Sequence, residues 1–276
     1  MIPYIPERFR RRVITHAVGV MTVERHPLLL AIQGQPGDGK SFQLRYSLEA
    51  AGCTPFTLSA SLLAGQYEGD AVAALQATYS NAGEFARMNP ECFPALVIED
   101  FDLSPAGQRN GVQYTVNSQL LSGFLMHLAD DVTSCGVGTS ERFPLFVTGN
   151  DLASLHGPLT RPGRMEIFSW EPSTEERADV VHSLLVPHLS PFTRQDAARL
   201  IKKYPGQPIS AFAAALTDCL ARRSYEIVAL TGSLSRRTLQ RELAKNDEVP
   251  IADYLAALTE RANPQFSLRN FIQAGR

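Results

Sequence analysis

Short apolar runs alternate with longer helical stretches over the first 150 residues. The apolar runs read LLLAIQG, FTLSA, ALVIED and LFVTGN, at 28–34, 56–60, 95–100 and 145–150. Such runs are typical of strands that are buried on both faces of a parallel sheet. Helices are predicted between them, at 40–51, 71–88 and 116–129. Strands that alternate with helices predict an α/β fold, with a mostly parallel sheet flanked by helical crossovers.

The pattern changes near residue 170. No further buried strand is evident, and helices are predicted at 174–190, 194–204, 207–223 and 234–245. The sequence therefore predicts two domains. Residues 1–170 form an α/β domain, and residues 171–276 form a small α-helical domain with a C-terminal tail.

Composition narrows the possible functions. Hydrophobic residues make up 44% of the chain, charged residues 20%, and the net charge is −2. These values argue against a strongly basic nucleic-acid binder and an acidic disordered chain. No apolar run reaches the ~18–20 residues that a membrane-spanning helix needs. The arginine cluster near the N-terminus is interpreted as a solvated helix face; it comprises Arg8, Arg10, Arg11 and Arg12.

The cysteines and histidines predict no metal site. Cys53, Cys92, Cys135 and Cys219 are scattered along the chain, with neither metal-ligand spacing nor a disulfide framework. They indicate reduced thiols and a cytoplasmic protein. The six histidines form no metal-ligand spacing with the cysteines and are interpreted as surface or packing residues.

The strongest motif is a phosphate-binding loop of the form G-x-x-x-x-G-K-[ST]. It follows a predicted strand and opens a predicted helix, as this motif requires. Backbone N–H groups would surround the phosphates, Lys40 would reach the β- and γ-phosphates, and Ser41 would bind Mg²⁺. The predicted nucleotide-binding residues are Gly34, Gln35, Pro36, Gly37, Asp38, Gly39, Lys40, Ser41 and Phe42.

An acidic strand end supports the same chemistry. The run ALVIEDFD places Glu99 and Asp100 after four apolar residues, and Asp102 follows. We assign Glu99 to the Mg²⁺ shell and Asp100 to the attacking water. The usual order is Asp then Glu. Here Asp100 takes the position that activates water. Because the aspartate side chain is shorter than that of glutamate, it reaches less far towards the water, which predicts slow turnover.

Asn150 and two arginines follow the last predicted strand of the α/β domain. Asn150 ends that strand, where its side chain could contact the γ-phosphate or the attacking water. Arg161 and Arg164 lie in the turn LTRPGR. An arginine supplied by a neighbouring subunit stabilises the charge of a phosphoryl transition state, so we predict that at least one of the two acts in this way.

Together these residues resemble an AAA+ ATPase, and within that superfamily the Rubisco activase family. Four segments carry the resemblance, in the family's order: GQPGDGKSFQ, VQYTVNSQLLSGFLMHLAD, FVTGNDLASLHGPLTRPGRMEIFSWEPSTEERADVV and YPGQPISAFAAAL. QYTVNSQL and PLTRPGRMEIFSW are its most specific parts, and the resemblance covers roughly residues 1–245.

The resemblance implies a chaperone that hydrolyses MgATP and remodels a protein client, with inhibited Rubisco as the candidate. Nucleotide would lie between the α/β domain and the helical lid, and six subunits would form a ring. Arg161 and Arg164 would reach the ATP of a neighbour. The pore would be lined by loops around Leu62–Gly69 and Ser104–Gly111, where Tyr67 would either grip the client or pack.

Several features depart from the family. Glu99 stands where the family commonly has Asn. The lid segment AALTDC lacks the family's nucleotide-sensing arginines, and Arg222 and Arg223, one turn later, are candidates to replace them. Neither the N-terminal extension of plant activases nor the small-subunit-like domain of some cyanobacterial ones is expected. These departures leave the predicted fold unchanged. They bear on whether Rubisco is the client, because the parts that would face the client are the parts that differ.

Two other functions stay open. The segment GSLSRRTLQRELAK at 232–245 looks like the second half of a helix-turn-helix, which would suit a DNA-linked ATPase. The weakly basic domain argues against nucleic acid as a partner. Exposure of Ser235, Arg236, Thr238 and Gln240 would favour DNA, and burial of Leu234, Leu239 and Leu243 would favour a lid helix. The other alternative is a nucleotide-gated scaffold with negligible hydrolysis.

Overall fold

The structure, a computed structural model, describes residues 3–63, 67, 69–104, 116–152, 155, 157–232, 235–245 and 248–262. The described residues divide into two compact units. One unit is Glu7–Glu171, and the other begins at Pro172 and includes residues 3–6. The sequence pattern grouped residues 3–6 with the α/β domain. In the structure the Tyr4 N–H donates to Ser183 Oγ (3.0 Å), within the helical unit.

The α/β unit confirms the predicted fold class. Its strands are β1 (Leu29–Gln33), β2 (Cys53–Ser59), β3 (Phe93–Glu99), β4 (Leu145–Gly149) and β5 (Met165–Ser169). Its helices are α1 (Glu7–Thr22), α2 (Lys40–Ala50), α3 (Ala60–Leu63), α4 (Asp70–Met88) and α5 (Val116–Asp130). All five strands are parallel, in the order β2-β3-β4-β1-β5.

The apolar pattern found the central strands and missed one edge strand. β1, β3 and β4 are buried almost throughout, which matches their continuous apolar runs. In β5, Met165 is buried whereas Ile167 is 45% exposed. The strand carries polar residues and lies at the sheet edge, so its sequence, MEIFS, lacks the apolar run used to find the others.

α1 corrects the interpretation of the arginine cluster. The helix buries Phe9 and Val13 completely. Arg12 pairs with Glu166 in β5 (2.6 Å), and the Arg8 guanidinium lies 4.8 Å from the centre of the Trp170 ring. Only part of the cluster is therefore a solvated face, because two arginines connect α1 to β5 and the residue after it.

The helical unit has a core of its own. Its helices are α6 (Thr174–Leu185), α7 (Arg194–Lys203), α8 (Ile209–Thr231), α9 (Arg236–Lys245) and α10 (Ile251–Ala262). Phe212, Tyr254 and Leu258 are fully buried in it. α8 continues past residue 223, its predicted end, and α10 was not predicted. Among the described residues, no helix combines the length and apolar character that crossing a membrane requires.

Candidate nucleotide-binding site

The phosphate loop lies at the carboxyl edge of the sheet. It connects β1 to α2, and β1 lies between β4 and β5. The segments that follow β1, β3 and β4 therefore meet at one edge, beside a point where the strand order reverses. Ligands of open α/β sheets bind in this position. Each predicted catalytic residue up to Asn150 belongs to one of these three segments.

Glycines and buried hydrogen bonds hold the loop in shape. Gly37 and Gly39 have φ of 83° and 79°, which residues with a side chain rarely adopt. A Cβ on Gly34 would lie 2.2 Å from the Trp170 carbonyl oxygen. Within the loop, the buried Asp38 accepts two hydrogen bonds at its carbonyl, from Trp170 Nε1 (3.2 Å) and from Gln43 Nε2 (3.0 Å). The loop is thus anchored by Trp170, the residue after β5, and by Gln43 of α2.

Lys40 is fully engaged within the α/β unit. Its ammonium donates to the carbonyls of Gly34 (2.7 Å) and Gln35 (3.0 Å) and to Asn150 Oδ1 (3.0 Å). An ammonium group has three protons, so these acceptors account for all of them. Burial lowers the pKa of Lys40, and the charge of Asp102 is the largest opposing influence. A phosphate would have to replace some of these acceptors.

Ser41 and the acidic strand end meet at a residue that the sequence did not single out. Ser41 Oγ lies 3.1 Å from Thr148 Oγ1, which also accepts from the Asp100 N–H (3.4 Å). Thr148 is 1% exposed. A hydroxyl residue within an otherwise apolar strand was the feature of the sequence that could have identified it. Glu99 ends β3 half-buried, and Asp100 is exposed with φ of 54°.

Asp102 is the second residue that the sequence analysis left without a role. Its Oδ2 accepts the Asn150 N–H (3.0 Å), so it positions the residue that contacts Lys40. Its Oδ1 is buried and has no hydrogen-bond partner in the described part of the chain. Its place as the third acid of ALVIEDFD was the signal that could have identified it.

The remaining loop residues are exposed. Gln35, Pro36 and Gly37 form the exposed tip of the loop. Phe42 is 44% exposed on α2, where its ring lies 4.5 Å from the ring of Tyr46.

The arginine turn lies at the opposite edge of the sheet. Arg164 precedes β5, and its carbonyl accepts the N–H of Leu29, the first residue of β1 (3.1 Å). The phosphate loop begins after the last residue of β1, and a five-residue strand spans about 15 Å. Arg161 and Arg164 are thus separated from Lys40 of the same subunit by the length of the sheet.

The two arginines have different surroundings. Arg164 donates to both carboxylate oxygens of Asp130 (2.8 and 2.5 Å) and to the Pro158 carbonyl (2.8 Å). Hydrogen bonding from Arg164 lowers the pKa of Asp130. Asp130 is the last residue of α5, where the helix dipole disfavours an acid, so the pair offsets an unfavourable position. Arg161 is exposed.

Comparison with known proteins identifies the family. The model of the ATPase family associated with various cellular activities (AAA) matches residues 30–173, more than half of the chain. The chain belongs to the AAA family of ATPases. Its β1–α2 loop, acidic strand end and Asn150 all lie within the matched region, so the prediction of an ATP-hydrolysing enzyme is confirmed at family level.

The similarity to Rubisco activases is also confirmed. The chain is 29% identical to the ribulose bisphosphate carboxylase/oxygenase activase of Nostoc sp., over 99% of the chain and 64% of that relative. It is 31% identical to the Anabaena sp. activase, over 82% and 58%. It is 35% identical to the chloroplastic activase of Phaseolus vulgaris, over 76% and 49%. The chain spans between about half and two thirds of these curated relatives.

The proposed substitutes for the AAA lid arginines are engaged elsewhere in the helical unit. Arg222 donates to Glu260 (2.6 Å) and Arg223 to the Glu248 carbonyl (3.1 Å). Asp218, in the segment AALTDC, accepts two hydrogen bonds from Arg261. In this structure these side chains hold α8 against α10 and the segment before it.

The predicted pore loops lie largely outside the described residues of this AAA chain, namely 64–66, 68 and 105–111. Tyr67 is described and is 73% exposed. In the helix considered for DNA, Ser235, Arg236 and Gln240 are exposed, whereas Thr238, Leu239 and Leu243 are half-buried. Leu234 lies outside the described residues. The polar residues are accessible and the leucines are partly covered. The exposure of this helix therefore does not discriminate between a lid helix and a DNA-recognition helix.

Proposed function

We propose that the chain hydrolyses MgATP at the interfaces between subunits of a homo-oligomeric ring, with six subunits as in the sequence-based prediction. Hydrolysis would drive the remodelling of a protein client. Similarity to Rubisco activases over most of the chain supports this function and makes inhibited Rubisco the first client to test. Its cytoplasmic location stays a prediction from the cysteines.

One observation carries the proposal of shared sites. Arg161 and Arg164 lie at the amino edge of the sheet, and the phosphate loop lies at its carboxyl edge. An arginine stabilises a phosphoryl transition state only when it approaches the transferred group. The sheet separates these arginines from Lys40 of the same chain, which supports a role at the ATP of a neighbouring subunit.

Within one subunit the side chains divide the remaining work. Lys40 would exchange its carbonyl contacts for the β- and γ-phosphates, while Asn150 senses the γ-phosphate or the attacking water. Asp100 would orient that water. Its short side chain and exposed position are consistent with slow turnover.

The oxygen groups at the carboxyl edge of the sheet fit Mg²⁺. Mg²⁺ prefers hard oxygen ligands and keeps several waters. Ser41 and Glu99 would hold it, and Asp102 supplies a buried carboxylate oxygen that lacks a partner among the described residues. When bound, Mg²⁺ neutralises charge on the phosphates. The hydroxyl of Ser41, which contacts Thr148 in this structure, would be one of its ligands.

The test is a subunit-mixing experiment. Lys40→Ala subunits should lose phosphate binding but keep their arginines, whereas Arg161→Ala/Arg164→Ala subunits should bind ATP and fail to complete a neighbour's site. Each variant alone should be nearly inactive, with a loss on the order of 10³-fold for the arginine variant. Mixing them should restore ATPase activity, because intact sites form at mixed interfaces.

The controls separate the alternatives. Wild-type specific activity should rise with protein concentration as rings assemble. Full activity of the arginine variant would contradict shared sites. ATP binding with near-zero turnover in the wild type would instead support a nucleotide-gated scaffold. Reactivation of inhibited Rubisco, with ATP required, tests the client separately.

A further inference from the structure

Three potential metal ligands converge outside the phosphate loop. His16 comes from α1, His26 from the loop after α1, and Glu166 from β5. One ligand atom from each lies within 4.8 Å of the others. Glu166 is far along the chain from the two histidines, so spacing rules applied to the sequence could not find this cluster.

The hydrogen bonds of His16 leave one ring nitrogen facing a carboxylate. Its Nε2 lies 3.3 Å from the Leu28 carbonyl oxygen, which can only accept, so Nε2 carries the proton. Nδ1 is then a bare acceptor. It is buried in a side chain that is 0% exposed, and it has no hydrogen-bond partner within the described residues. The nearest carboxylate oxygen is Glu166 Oε2 at 3.9 Å, too far for a hydrogen bond.

His26 presents its second nitrogen in the same way. Its Nδ1 lies 3.1 Å from the Pro27 carbonyl oxygen, which assigns the proton to Nδ1 and leaves Nε2 as an acceptor. Histidines that bind metals commonly donate their other N–H to a carbonyl or carboxylate, which fixes the ring orientation. Both imidazoles therefore already have the tautomer that a metal requires.

The surrounding residues hold the cluster in place. A Cβ on Gly19 would lie 2.4 Å from His26 Nε2, so a glycine is needed to admit the ring. Arg142 donates to the carbonyl of His26 (2.9 Å) and to that of Glu24 (2.5 Å), which fixes the loop. Arg12 donates to Glu166 Oε2 (2.6 Å) and orients the carboxylate. These contacts form a built site rather than a chance encounter of side chains.

We propose that His16 Nδ1, His26 Nε2 and the Glu166 carboxylate bind a divalent zinc ion. Two neutral imidazoles and one carboxylate are a typical zinc ligand set, with water in the fourth position. His26 and Glu166 are partly exposed, so water has access. Ligand atoms around tetrahedral zinc lie about 3.4 Å apart, so the site closes by movements of about 1 Å.

Zinc would link α1 to β5 independently of nucleotide. Both elements belong to the α/β unit, and Glu166 lies two residues after Arg164 at the start of β5. His16 Nδ1 and Glu166 Oε2 are both acceptors and lie 3.9 Å apart. A cation between them would interact favourably with both. The positive charge of Arg12 opposes that of the metal and weakens binding, so the site is expected to be of moderate affinity.

The experiment measures Zn²⁺ binding to nucleotide-free protein after chelator treatment and dialysis. Cys92→Ser serves as the background, because Cys92 is an exposed thiol that would bind zinc by itself. Calorimetry should give one site per chain, and Co²⁺ should give the visible spectrum of a four-coordinate site with nitrogen and oxygen ligands. His26→Gln and Glu166→Gln should each weaken Zn²⁺ binding at least about tenfold.

Controls distinguish this site from nonspecific binding. His127→Gln removes an exposed histidine outside the cluster and should bind Zn²⁺ as the background does. Zn²⁺ should raise the melting temperature of the background and of His127→Gln, and not that of His26→Gln. Unchanged affinity in His26→Gln, or no stoichiometric binding to the background protein, would overturn the proposal. Since His26 and Glu166 are only partly buried, both variants test the site without emptying the core at His16.

Discussion

Replacing Asn150 with aspartate would add a negative charge where the phosphates of ATP are expected to bind. In the structure Asn150 Oδ1 accepts a hydrogen bond from Lys40 Nζ at 3.0 Å. An aspartate of the same shape would form an ion pair with that ammonium and would also repel the γ-phosphate. Both effects oppose ATP binding, while the ion pair stabilises the nucleotide-free protein.

The size of the effect follows from the surroundings of the two side chains. Two unit charges 4 Å apart interact with about 1 kcal/mol in water and about 4 kcal/mol at an effective dielectric constant near 20. Asn150 is exposed and Lys40 is 8% exposed, so an intermediate value of about 2 kcal/mol applies. This corresponds to an increase in the Kd for ATP of about 30-fold. Added salt should reduce the difference.

The assay is calorimetric titration with a non-hydrolysable ATP analogue and Mg²⁺. Asn150→Ala is the matched control, because it removes the same acceptor without adding charge. It should bind the analogue within a few-fold of wild type and hydrolyse ATP more slowly. Equal Kd values for Asn150→Asp and Asn150→Ala would refute the reasoning, since the side chain would then not face the phosphates.

Three further predictions concern other parts of the α/β unit. Tyr79→Phe should lower the free energy of unfolding by about 2 kcal/mol in urea titrations, because it leaves a buried backbone N–H without its acceptor; Tyr46→Phe, in a half-buried residue, should have little effect. Trp170 is the only tryptophan and donates to the phosphate loop, so its fluorescence should change on ATP binding and stay constant in a variant that cannot bind ATP. Asp130→Asn should lower kcat about tenfold with KM unchanged, because Arg164 loses its anchor; an unchanged kcat would assign the pair a structural role.

The sequence was most informative where the sheet buries both faces of a strand. β1, β3 and β4 appear as continuous apolar runs because no side of them meets water. β5 lies at the sheet edge, is only partly buried and carries polar residues, so its pattern did not stand out. α10 has an amphipathic sequence, but it follows a segment that was not assigned, and only packing against α8 identifies it.

The site was predictable where a motif specifies the backbone. The phosphate loop was identified because its glycines, lysine and serine occur at fixed spacing before a helix. Thr148 and Asp102 were not assigned because their roles come from neighbours on other strands, at 3.1 Å from Ser41 and 3.0 Å from Asn150. Such contacts depend on the order of strands in the sheet, which local sequence does not contain.

The close approach at Gly34 affects how this motif should be interpreted in related chains. A Cβ there would lie 2.2 Å from the carbonyl oxygen of Trp170, a contact that involves no ligand atom. The first glycine of the loop is therefore required by the packing of two backbones, whereas Lys40 is required by the ligand. A descendant that lost ATP binding would be expected to retain Gly34 and be free to replace Lys40. In surveys of genomes, the lysine is thus the better marker of a working ATPase, and the glycine marks the fold.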